Sequence, residues 1–462
     1  MTDPRYQATI GLEIHAELKT KTKMFCGCRN FSENREQKTD DGPNTLVCPV
    51  CLGLPGALPV PNRQAVDMTL LIAKTLGCKV ADASKWDRKN YFYPDLPKGY
   101  QISQYDMPLA SRGWLEFKIQ NSKFKIQITR IHLEEDTGKL THPAGADYSL
   151  IDFNRSGVPL VELVTEPVMH SAQEAKAFAQ EYQLILRYLD VSNADMERGQ
   201  MRVEANISVA PNAKFKSKNA KLGTKVEVKN LNSFRSVERA IDYEVKRQIE
   251  VLESGGTLVQ ETRGFSDAKS VTFSQRSKET ASDYRYFPEP DIPSVTGLVH
   301  ASGHMPLPKL PDAYREELQT HGLKDQYVET LIRDRALLKK FEDLIEMSPE
   351  IGGAIANLLV NKPELRTKSN QEMLAIARLP DHTLKRYLKG ERLENLQGEA
   401  VDTEAMVRAV EEVVNNNPDA VADFQSGKRA VLGYLIGQVM RKLQGADPKM
   451  VTQELLKQID KQ

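Results

Sequence analysis

The chain has 462 residues, with 63 Lys plus Arg and 63 Asp plus Glu, so its formal net charge is zero. This length allows two or three domains that each bury a core, and it excludes a small protein held together by disulfide bonds. Because the charges balance, a polyanion such as RNA has to bind at a local patch rather than through the field of the whole molecule.

The sequence predicts a cytoplasmic protein with no membrane segment. The first residues lack a basic segment followed by an apolar run, and no stretch approaches the roughly 18 consecutive apolar residues of a membrane helix. Four of the five cysteines are clustered, which favours a metal site in a reducing compartment over a disulfide framework. Cys78 stands apart and is expected to be a buried small hydrophobic side chain.

The first predicted element is a strand near the amino terminus. Ile10, Leu12 and Ile14 alternate with polar residues that include Glu13 and His15. A period of two is typical of a half-buried strand, so one face is expected to pack against a core while the other carries polar chemistry.

Two closely spaced pairs of cysteines follow this strand, Cys26 with Cys28 and Cys48 with Cys51. Zn²⁺ binds four thiolates tetrahedrally, and the short spacing within each pair leaves few residues to order. Because four thiolates leave no position open for a substrate, the loop 26–51 is predicted to hold a structural zinc ion. The alternative is a set of unpaired buried thiols clustered by chance.

A second polar strand is predicted to end near residue 136. Its apolar residues change phase between Ile128 and Ile131, which predicts a β-bulge near Thr129 and Arg130. Imidazole and carboxylate side chains follow at His132, Glu134, Glu135 and Asp136.

Ligands from these strands predict a site for a hard cation. The candidates are Glu13, His15, Glu162 and the acidic residues 134–136, and their oxygen-rich character suits Mg²⁺ or Mn²⁺. Such a cluster is also typical of phosphoryl transfer, in which a metal neutralises charge. A solvated, charged strand edge explains the same pattern. Four basic residues are expected to face phosphate, with surface salt bridges as the alternative: Arg202, Lys225, Lys229 and Arg285.

Two helices are predicted behind the strands. Ser171 and Glu174 have the spacing of a capping box, and a second helix from about Ser233 to Glu253 ends at a pair of glycines. The expected fold class is α+β, with an antiparallel-rich sheet, helices on one face and the opposite face open.

Composition divides the chain into segments. Prolines between 288 and 311 predict a linker, the chain is helical from 312 onward, and a second break is expected near 390–402. The familiar nucleotide-binding motifs G-x-x-x-x-G-K-[ST] and G-x-G-x-x-G are absent from the sequence, as is a kinase-type H-R-D element. Any nucleotide is therefore expected to bind to some other fold.

Five motifs, in this order, resemble the GatB family, the B subunits of bacterial aspartyl/glutamyl-tRNA amidotransferases. They are Ile10–Leu18, Val47–Gly56, Asp87–Gln104, Arg130–Lys139 and Lys229–Arg235. The resemblance is dense over 6–294 and returns at 410–458, whereas 320–400 is poorly matched.

The resemblance implies three domains. These are a catalytic cradle over 1–294 of the glutamine synthetase/guanido kinase type, a helical domain over 295–400, and a YqeY-like helical tail over 401–462 that binds tRNA. Gly433 and Gly437 are expected to permit close helix packing in that tail.

It further implies an enzyme that uses ATP to phosphorylate Glu on tRNA(Gln), or Asp on tRNA(Asn), and then lets ammonia displace the phosphate. A separate amidase, the A subunit, releases the ammonia from glutamine, and a small C subunit completes the heterotrimer. A non-catalytic zinc-ribbon scaffold that binds tRNA is the alternative from another class.

Residue roles follow from matched positions. The magnesium ligands are expected to be His15, Glu135 and Glu162, so Glu135→Gln is predicted to abolish phosphoryl transfer. Glu13, Glu134, Glu135, Lys89 and Lys98 are expected to be catalytic, with both lysines near an ammonia channel. ATP is expected to meet Arg202, Asn206, Lys229 and Arg285. The four cysteines match a zinc-bearing subset of the family, and their zinc is expected to shape the loop or its tRNA contact rather than take part in the chemistry.

Overall fold

The computed structural model describes residues 4–30, 42–119, 122–212, 222–277, 284–396, 403–443 and 448–459. The chain forms two compact units, Met1–Pro311 and Asp312–Gln462. No helix of the described residues has both the length and the apolar character needed to cross a bilayer.

The first unit is built around one large sheet. The strands of this unit are β1 (Tyr6–Glu17), β2 (Lys79–Val80), β3 (Ala83–Ser84), β4 (Asp87–Asn90), β5 (Tyr100–Ser103), β6 (Ala110–Ile119), β7 (Ser122–Glu135), β8 (Lys139–Thr141), β9 (Leu150–Asp152), β10 (Pro159–Thr165), β11 (Met201–Pro211), β12 (Val226–Leu231), β13 (Glu261–Ser266), β14 (Val271–Ser277), β15 (Phe287–Pro288) and β16 (Val295–Thr296). Of these described strands, nine form the large sheet in the order β14-β13-β12-β11-β1-β10-β7-β6-β2. Only β12 and β13 pair in parallel within it, so the predicted antiparallel-rich sheet is confirmed.

Three helices cover the apolar face of this sheet: α1 (Arg63–Thr75), α2 (Ala172–Tyr188) and α3 (Phe234–Glu253). Ile10, Leu12 and Ile14 of β1 are fully buried in the core beneath them, whereas Glu13 and His15 point to the other face. The alternation in the sequence therefore placed the two faces of β1 correctly. Cys78 packs against this core as a partly buried side chain.

Local predictions for these elements are confirmed. Val164 pairs with Arg130 and Thr165 with Ile128, so Thr129 is the extra residue of a bulge in β7. Ser171 caps α2 by accepting a hydrogen bond from the Glu174 N–H. Helix α3 starts after Ser233, and the chain leaves it through Gly255, whose φ is 73°.

The segment 288–311 does not form the simple linker that its prolines predicted. β15 pairs with β4, β16 pairs with β3, and the short helix α4 (Leu298–Gly303) packs against α1. Ile292 and Leu298 are buried in the core of the first unit. The segment is packed because the apolar residues between its prolines are buried against the sheet domain, and the prolines lie at turns within it.

The second unit is helical throughout its described residues. Its helices are α5 (Pro311–Thr320), α6 (Asp325–Arg333), α7 (Arg335–Met347), α8 (Gly352–Asn361), α9 (Asn370–Ala377), α10 (Asp381–Tyr387), α11 (Leu393–Leu396), α12 (Thr403–Asn416), α13 (Pro418–Gln425), α14 (Val431–Lys442) and α15 (Pro448–Ile459). The last four share a core that includes Val410, Leu435 and Leu455.

Two expectations for this unit need comment. The predicted boundary at 400/401 lies outside the described residues. The expectation that Gly433 and Gly437 permit close packing is wrong within this chain, because a Cβ added at either position meets nothing within 4 Å. Both glycines lie on the exposed side of α14, since the buried side carries Leu435 and Val439.

Candidate functional site

One row of polar side chains crosses four neighbouring strands on the open face of the sheet. Arg202 of β11 pairs with His15 of β1, His15 pairs with Glu162 of β10, and Glu162 pairs with His132 of β7. Residues paired across antiparallel strands share a face and lie close together. The register of the sheet therefore places residues from four distant parts of the chain side by side.

The centre of this row is a cluster of ligand atoms. Nε2 of His15 lies 3.2 Å from Oε2 of Glu162 and 3.6 Å from Oε1 of Glu134. Nε2 of His132 lies 2.9 Å from the same Oε2 of Glu162. The Ser103 hydroxyl donates a hydrogen bond to Glu134 at 2.8 Å. One ligand atom each from His15, Glu134 and Glu162 lies within 4.8 Å of the other two, a spacing that one cation can bridge.

Electrostatics keep the two carboxylates of this cluster ionised. Burial alone would raise the pKa of Glu134 and of Glu162, but the neighbouring His132 and His15 outweigh it and hold both values below the usual range. Burial would likewise lower the pKa of His15, but Glu162 and Glu134 outweigh it and raise that pKa to about 9. In the absence of a metal, His15 is therefore protonated at neutral pH and has to lose a proton before it can act as a ligand.

Glu135 is not part of this cluster, although it was expected to be a metal ligand. It follows Glu134 on the same strand and therefore points to the opposite face of the sheet. Its carboxylate lies 2.8 Å from Nζ of Lys98 and accepts a hydrogen bond from the Ile102 N–H at 3.0 Å. The structure thus places Glu134 beside His15 and Glu162, and it places Glu135 and Lys98 together behind the strand.

A second acidic trio lies beside the first on the same face. Glu13 pairs with Glu204 across β1 and β11, and ligand atoms of Glu13, Glu204 and Glu227 lie within 4.8 Å of one another. Nζ of Lys229 lies 2.8 Å from Glu204 and 3.5 Å from Glu227. The Asn206 amide donates to Glu13 at 2.7 Å.

Glu13 differs from the other carboxylates in its affinity for a proton. Burial raises its pKa, and the charges of Glu162, Glu204 and Glu227 raise it further against the lowering effect of Asn206. Neighbouring carboxyl groups with pKa values shifted in opposite directions are typical of sites that divide charge stabilisation and proton transfer between them. Glu13 therefore binds a proton more readily than Glu134 or Glu162 does.

The basic residues of the face differ in how firmly they are held. Arg202 donates two hydrogen bonds of 3.0 Å to Asp136. Burial would raise the pKa of Asp136, but the charges of Arg202 and Arg155 outweigh burial and lower this pKa to about 2. Lys89 lies 5.0 Å from the centre of the Tyr284 ring. Arg285 is exposed and does not line the cleft, although it was expected to face phosphate.

Arg130 is a basic residue that the sequence linked only to the bulge. It lines the same cleft, and its buried Nε has no hydrogen-bond partner among the described residues. A guanidinium group with an unused donor is suited to a phosphate or carboxylate oxygen. The bulge at Thr129 turns the side chain of the next residue onto the open face.

These residues line a cleft of about 440 Å³. A site of this size with convergent polar groups is typical of a small-molecule site. The structure brings ten of the predicted residues to its walls: Glu13, His15, Lys89, His132, Glu134, Asp136, Glu162, Arg202, Lys225 and Lys229. The sequence analysis missed Glu227 as a possible ligand, although it lies in phase with Lys225 and Lys229 and alternates with the apolar Val226 and Val228. It also missed Tyr105, Tyr284 and Tyr286, which also line the cleft and which no local pattern connects.

The four cysteines form a separate cluster. Their sulfur atoms all lie within 4.8 Å of one another, and the Cys48 and Cys51 sulfurs are 3.8 Å apart. Tetrahedral zinc with bonds of about 2.3 Å places its thiolates about 3.8 Å apart. The Cys48 N–H points to the Cys51 sulfur at 3.0 Å, as expected for a thiolate acceptor. This donor set therefore fits Zn²⁺.

Lys23 is a buried cation beside this cluster. Its side chain is fully buried, and Nζ donates to the carbonyl oxygens of Leu46 and Phe153 at 2.8 and 3.3 Å. Hydrogen bonds from Cys26 and Cys48, together with the charge of Lys23, lower the pKa of Cys51. Lys23 thus favours the thiolate form that a metal requires.

The residues that follow Cys51 also approach the ion pair behind the sheet. Gly53 has a φ of +65°, and a Cβ added there would lie 2.4 Å from Cγ of Lys98. Cys26, Cys51, Lys98 and Glu135 line one cavity of about 240 Å³. Lys98 is therefore positioned between the cysteine loop and the strand that carries Glu134.

Comparisons with known proteins agree with this arrangement. Residues 8–298 match the family model of the GatB/GatE catalytic domain, and residues 341–459 match that of the GatB domain. Relatives named as the B subunit of aspartyl/glutamyl-tRNA(Asn/Gln) amidotransferase, from Thermomicrobium roseum, Moorella thermoacetica and Caldicellulosiruptor bescii, are 44%, 43% and 41% identical. The alignments cover 98%, 98% and 99% of this chain and 98%, 99% and 99% of the relatives.

The chain belongs to the GatB family.

The match to the GatB/GatE catalytic domain contains the whole cleft, from Glu13 to Tyr286, and all four clustered cysteines. The GatB domain match begins at residue 341. The expectation that 320–400 is poorly matched is therefore wrong from 341 onward, because that segment is part of a domain that GatB proteins share.

Proposed function

We propose that this chain is the B subunit of a tRNA-dependent amidotransferase, a ligase that converts Glu-tRNA(Gln), Asp-tRNA(Asn) or both into the amidated product. The observation that carries the proposal is the row of ligands across the open face of the sheet, within a chain of the GatB family. A scaffold that only binds tRNA has no use for a buried cluster of carboxylates, since acidic groups repel the phosphate backbone.

The ligand atoms of His15, Glu134 and Glu162 fit one Mg²⁺ or Mn²⁺ ion. A divalent cation supplies positive charge to the transferring phosphoryl group when it is bound there. The trio of Glu13, Glu204 and Glu227 offers a further set of carboxylate oxygens nearby. Glu134 therefore replaces Glu135 in the ligand set that we propose.

The first step is transfer of the ATP γ-phosphoryl group to the side-chain carboxylate of the amino acid on tRNA. The new bond joins a carboxylate oxygen to phosphorus, and the bond to ADP breaks. Arg130 and Lys89 would stabilise the phosphate charge, because their cationic side chains line the cleft. Arg202 and Lys229 are already paired with acidic residues and would position these carboxylates.

The second step is attack of ammonia on the acyl phosphate. A carbon–nitrogen bond forms, inorganic phosphate leaves with the electrons of the broken carbon–oxygen bond, and the nitrogen loses one proton. Glu13 would accept this proton, because its surroundings raise its pKa while Glu134 and Glu162 stay ionised.

Other features of the family are proposals for this chain on the same basis. We propose that it acts in the cytoplasm with a glutaminase A subunit and a small C subunit, and that the helical tail contacts tRNA. The glutamine synthetase/guanido kinase likeness of the sheet domain and the three-domain division at 294 and 400 remain predictions. The cysteine cluster would hold structural zinc, and Lys98 with Glu135 would form a wall between that zinc site and the catalytic strand.

The proposal is tested by assaying the assembled three-subunit complex with each misacylated tRNA, using either glutamine or ammonia as nitrogen donor. We expect amidation that requires ATP, and we expect Glu162→Gln to stop it with both donors. Glu116→Gln is the matched control, because Glu116 of β6 forms an exposed ion pair with Lys125 of β7 and neither residue lines the cleft. Activity of Glu162→Gln equal to that of the control would refute the site.

A further inference from the structure

Three tyrosines form an aromatic group on the wall of the cleft. The rings of Tyr105 and Tyr286 are stacked, with centroids 4.3 Å apart and planes inclined by 11°. Tyr284 meets Tyr286 edge to face at 6.1 Å. All three residues line the same cleft as the carboxylate cluster.

The stack has one buried ring and one open ring. Tyr286 is largely buried, and burial raises its pKa to about 12, whereas Tyr105 remains 51% exposed. A stack that serves only to pack the protein gains most when both rings are removed from water. The exposed ring of Tyr105 therefore presents an aromatic surface to a ligand, next to a polar cleft whose basic side chains suit a phosphate.

The backbone at Tyr105 is held in place before any ligand arrives. Its N–H donates to the buried carboxylate of Asp87 at 3.1 Å. The Tyr286 ring supports the side chain from one side. A preorganised ring loses little entropy when a planar group stacks on it.

We propose that Tyr105 stacks on the adenine base of a nucleotide whose phosphate reaches Arg130. Rings of this kind bind bases by their π-faces, and each stacked base typically loses about tenfold or more in affinity when the ring is removed. Arg130 supplies the complementary charge, because its guanidinium side chain lines the same cleft as Tyr105. The inference rests on the proposed function, which requires two adenine nucleotides, ATP and the 3′-terminal adenosine of tRNA.

The two sources of adenine are distinguished by two binding measurements on the assembled complex. The first measures the dissociation constant of a non-hydrolysable ATP analogue. The second compares tRNA with tRNA that lacks its terminal adenosine. The variants are Tyr105→Ala and Tyr105→Leu, and Tyr105→Phe is the matched control because it keeps the ring.

We expect Tyr105→Ala and Tyr105→Leu to weaken one of the two ligands about tenfold or more, with Tyr105→Phe within about threefold of the unmodified protein. Weaker binding of the ATP analogue assigns the site to ATP. If Tyr105→Ala instead removes the difference between the two tRNAs, the site takes the terminal adenosine. Arg130→Met is expected to weaken the same ligand.

The inference is overturned if both ring-deleting variants bind both ligands as the unmodified protein does, or if Tyr105→Phe loses as much affinity as Tyr105→Ala. Melting temperatures of the variants confirm that they are folded, and Tyr105→Leu keeps the apolar volume should alanine disturb the stack. Failure of the proposed function has a different outcome, since the unmodified complex would then not phosphorylate misacylated tRNA at all.

Discussion

Glu134 and Glu135 are consecutive residues, yet the structure predicts that changing each to glutamine impairs a different property of the protein. Glu134 lies 3.6 Å from His15 and shares the ligand cluster with Glu162. Glu135 lies behind the strand and pairs with Lys98, whose side chain is only 9% exposed. Glu134→Gln should therefore weaken metal binding, whereas Glu135→Gln should weaken the fold.

The expected magnitudes follow from the two environments. At an effective dielectric constant of about 20, two unit charges about 4 Å apart interact by about 4 kcal/mol. A divalent ion attracts a carboxylate more strongly than a unit charge does, but the cost of desolvating the carboxylate offsets this gain. Glu134→Gln should therefore reduce the free energy of Mn²⁺ binding by about 3 to 4 kcal/mol, which is roughly 100- to 1,000-fold in affinity. Glu135→Gln leaves the Lys98 ammonium group buried without its counter-charge, which typically costs about 3 to 5 kcal/mol of stability.

Two assays on both variants separate these effects. Mn²⁺ affinity is measured by titration, and the free energy of unfolding is measured with denaturant. The double variant Glu135→Gln with Lys98→Met is the control, because it removes both charges and should recover most of the lost stability. Weaker Mn²⁺ binding in Glu135→Gln than in Glu134→Gln would contradict the assignment and restore the one expected from sequence.

Three further predictions concern the metal sites and the cysteine loop. Lys23→Met should weaken zinc binding about tenfold in a chelator competition, because the buried Lys23 ammonium offsets the thiolate charge. Lys21→Met is the control, since Lys21 is exposed. An unchanged zinc affinity in Lys23→Met would contradict this role. The pKa of about 9 for His15 in the metal-free protein means that Mn²⁺ has to displace a proton. Apparent Mn²⁺ affinity should thus rise about tenfold per pH unit between about pH 6.5 and 8.5, and a flat profile would argue against His15 as a ligand. Gly53→Ala should lower stability by about 1 to 3 kcal/mol in thermal unfolding, because its φ is +65° and the new Cβ collides with Lys98. Gly27→Ala is the control and should be nearly neutral, because a Cβ added at Gly27 has no neighbour within 4 Å.

The faces of the central strands could be predicted from sequence because alternation is a local property. Glu13 and His15 followed from the period of β1, and the bulge at Thr129 followed from a change of phase. The same rule places Glu135 in phase with the buried Leu133 and away from Glu134. The expectation for Glu135 came from matched family positions, and the strand period within the sequence already indicated Glu134 as the cleft residue.

The strand register that pairs distant parts of the chain could not be predicted from the alternation of residues. The pairing of His15 with both Glu162 and Arg202 depends on strand register, which is set by the whole sheet. Tyr105 meets Tyr286 only because β5 and β15 both pair with β4. The prolines after 288 signalled turns correctly, but burial of Ile292 and Leu298 depends on α1, which lies far away in the sequence.

The central claim is that the cleft on the sheet phosphorylates the amino acid carried by tRNA. The most direct test supplies the assembled complex with ATP labelled at the γ-phosphate and misacylated tRNA, without glutamine or ammonia, and measures label attached to tRNA in a single turnover. The account predicts labelled tRNA that requires the aminoacyl group, and a rate at least about 100-fold lower in Glu162→Gln with tRNA affinity within a few fold. Label on deacylated tRNA, or an unchanged rate in Glu162→Gln, would contradict it.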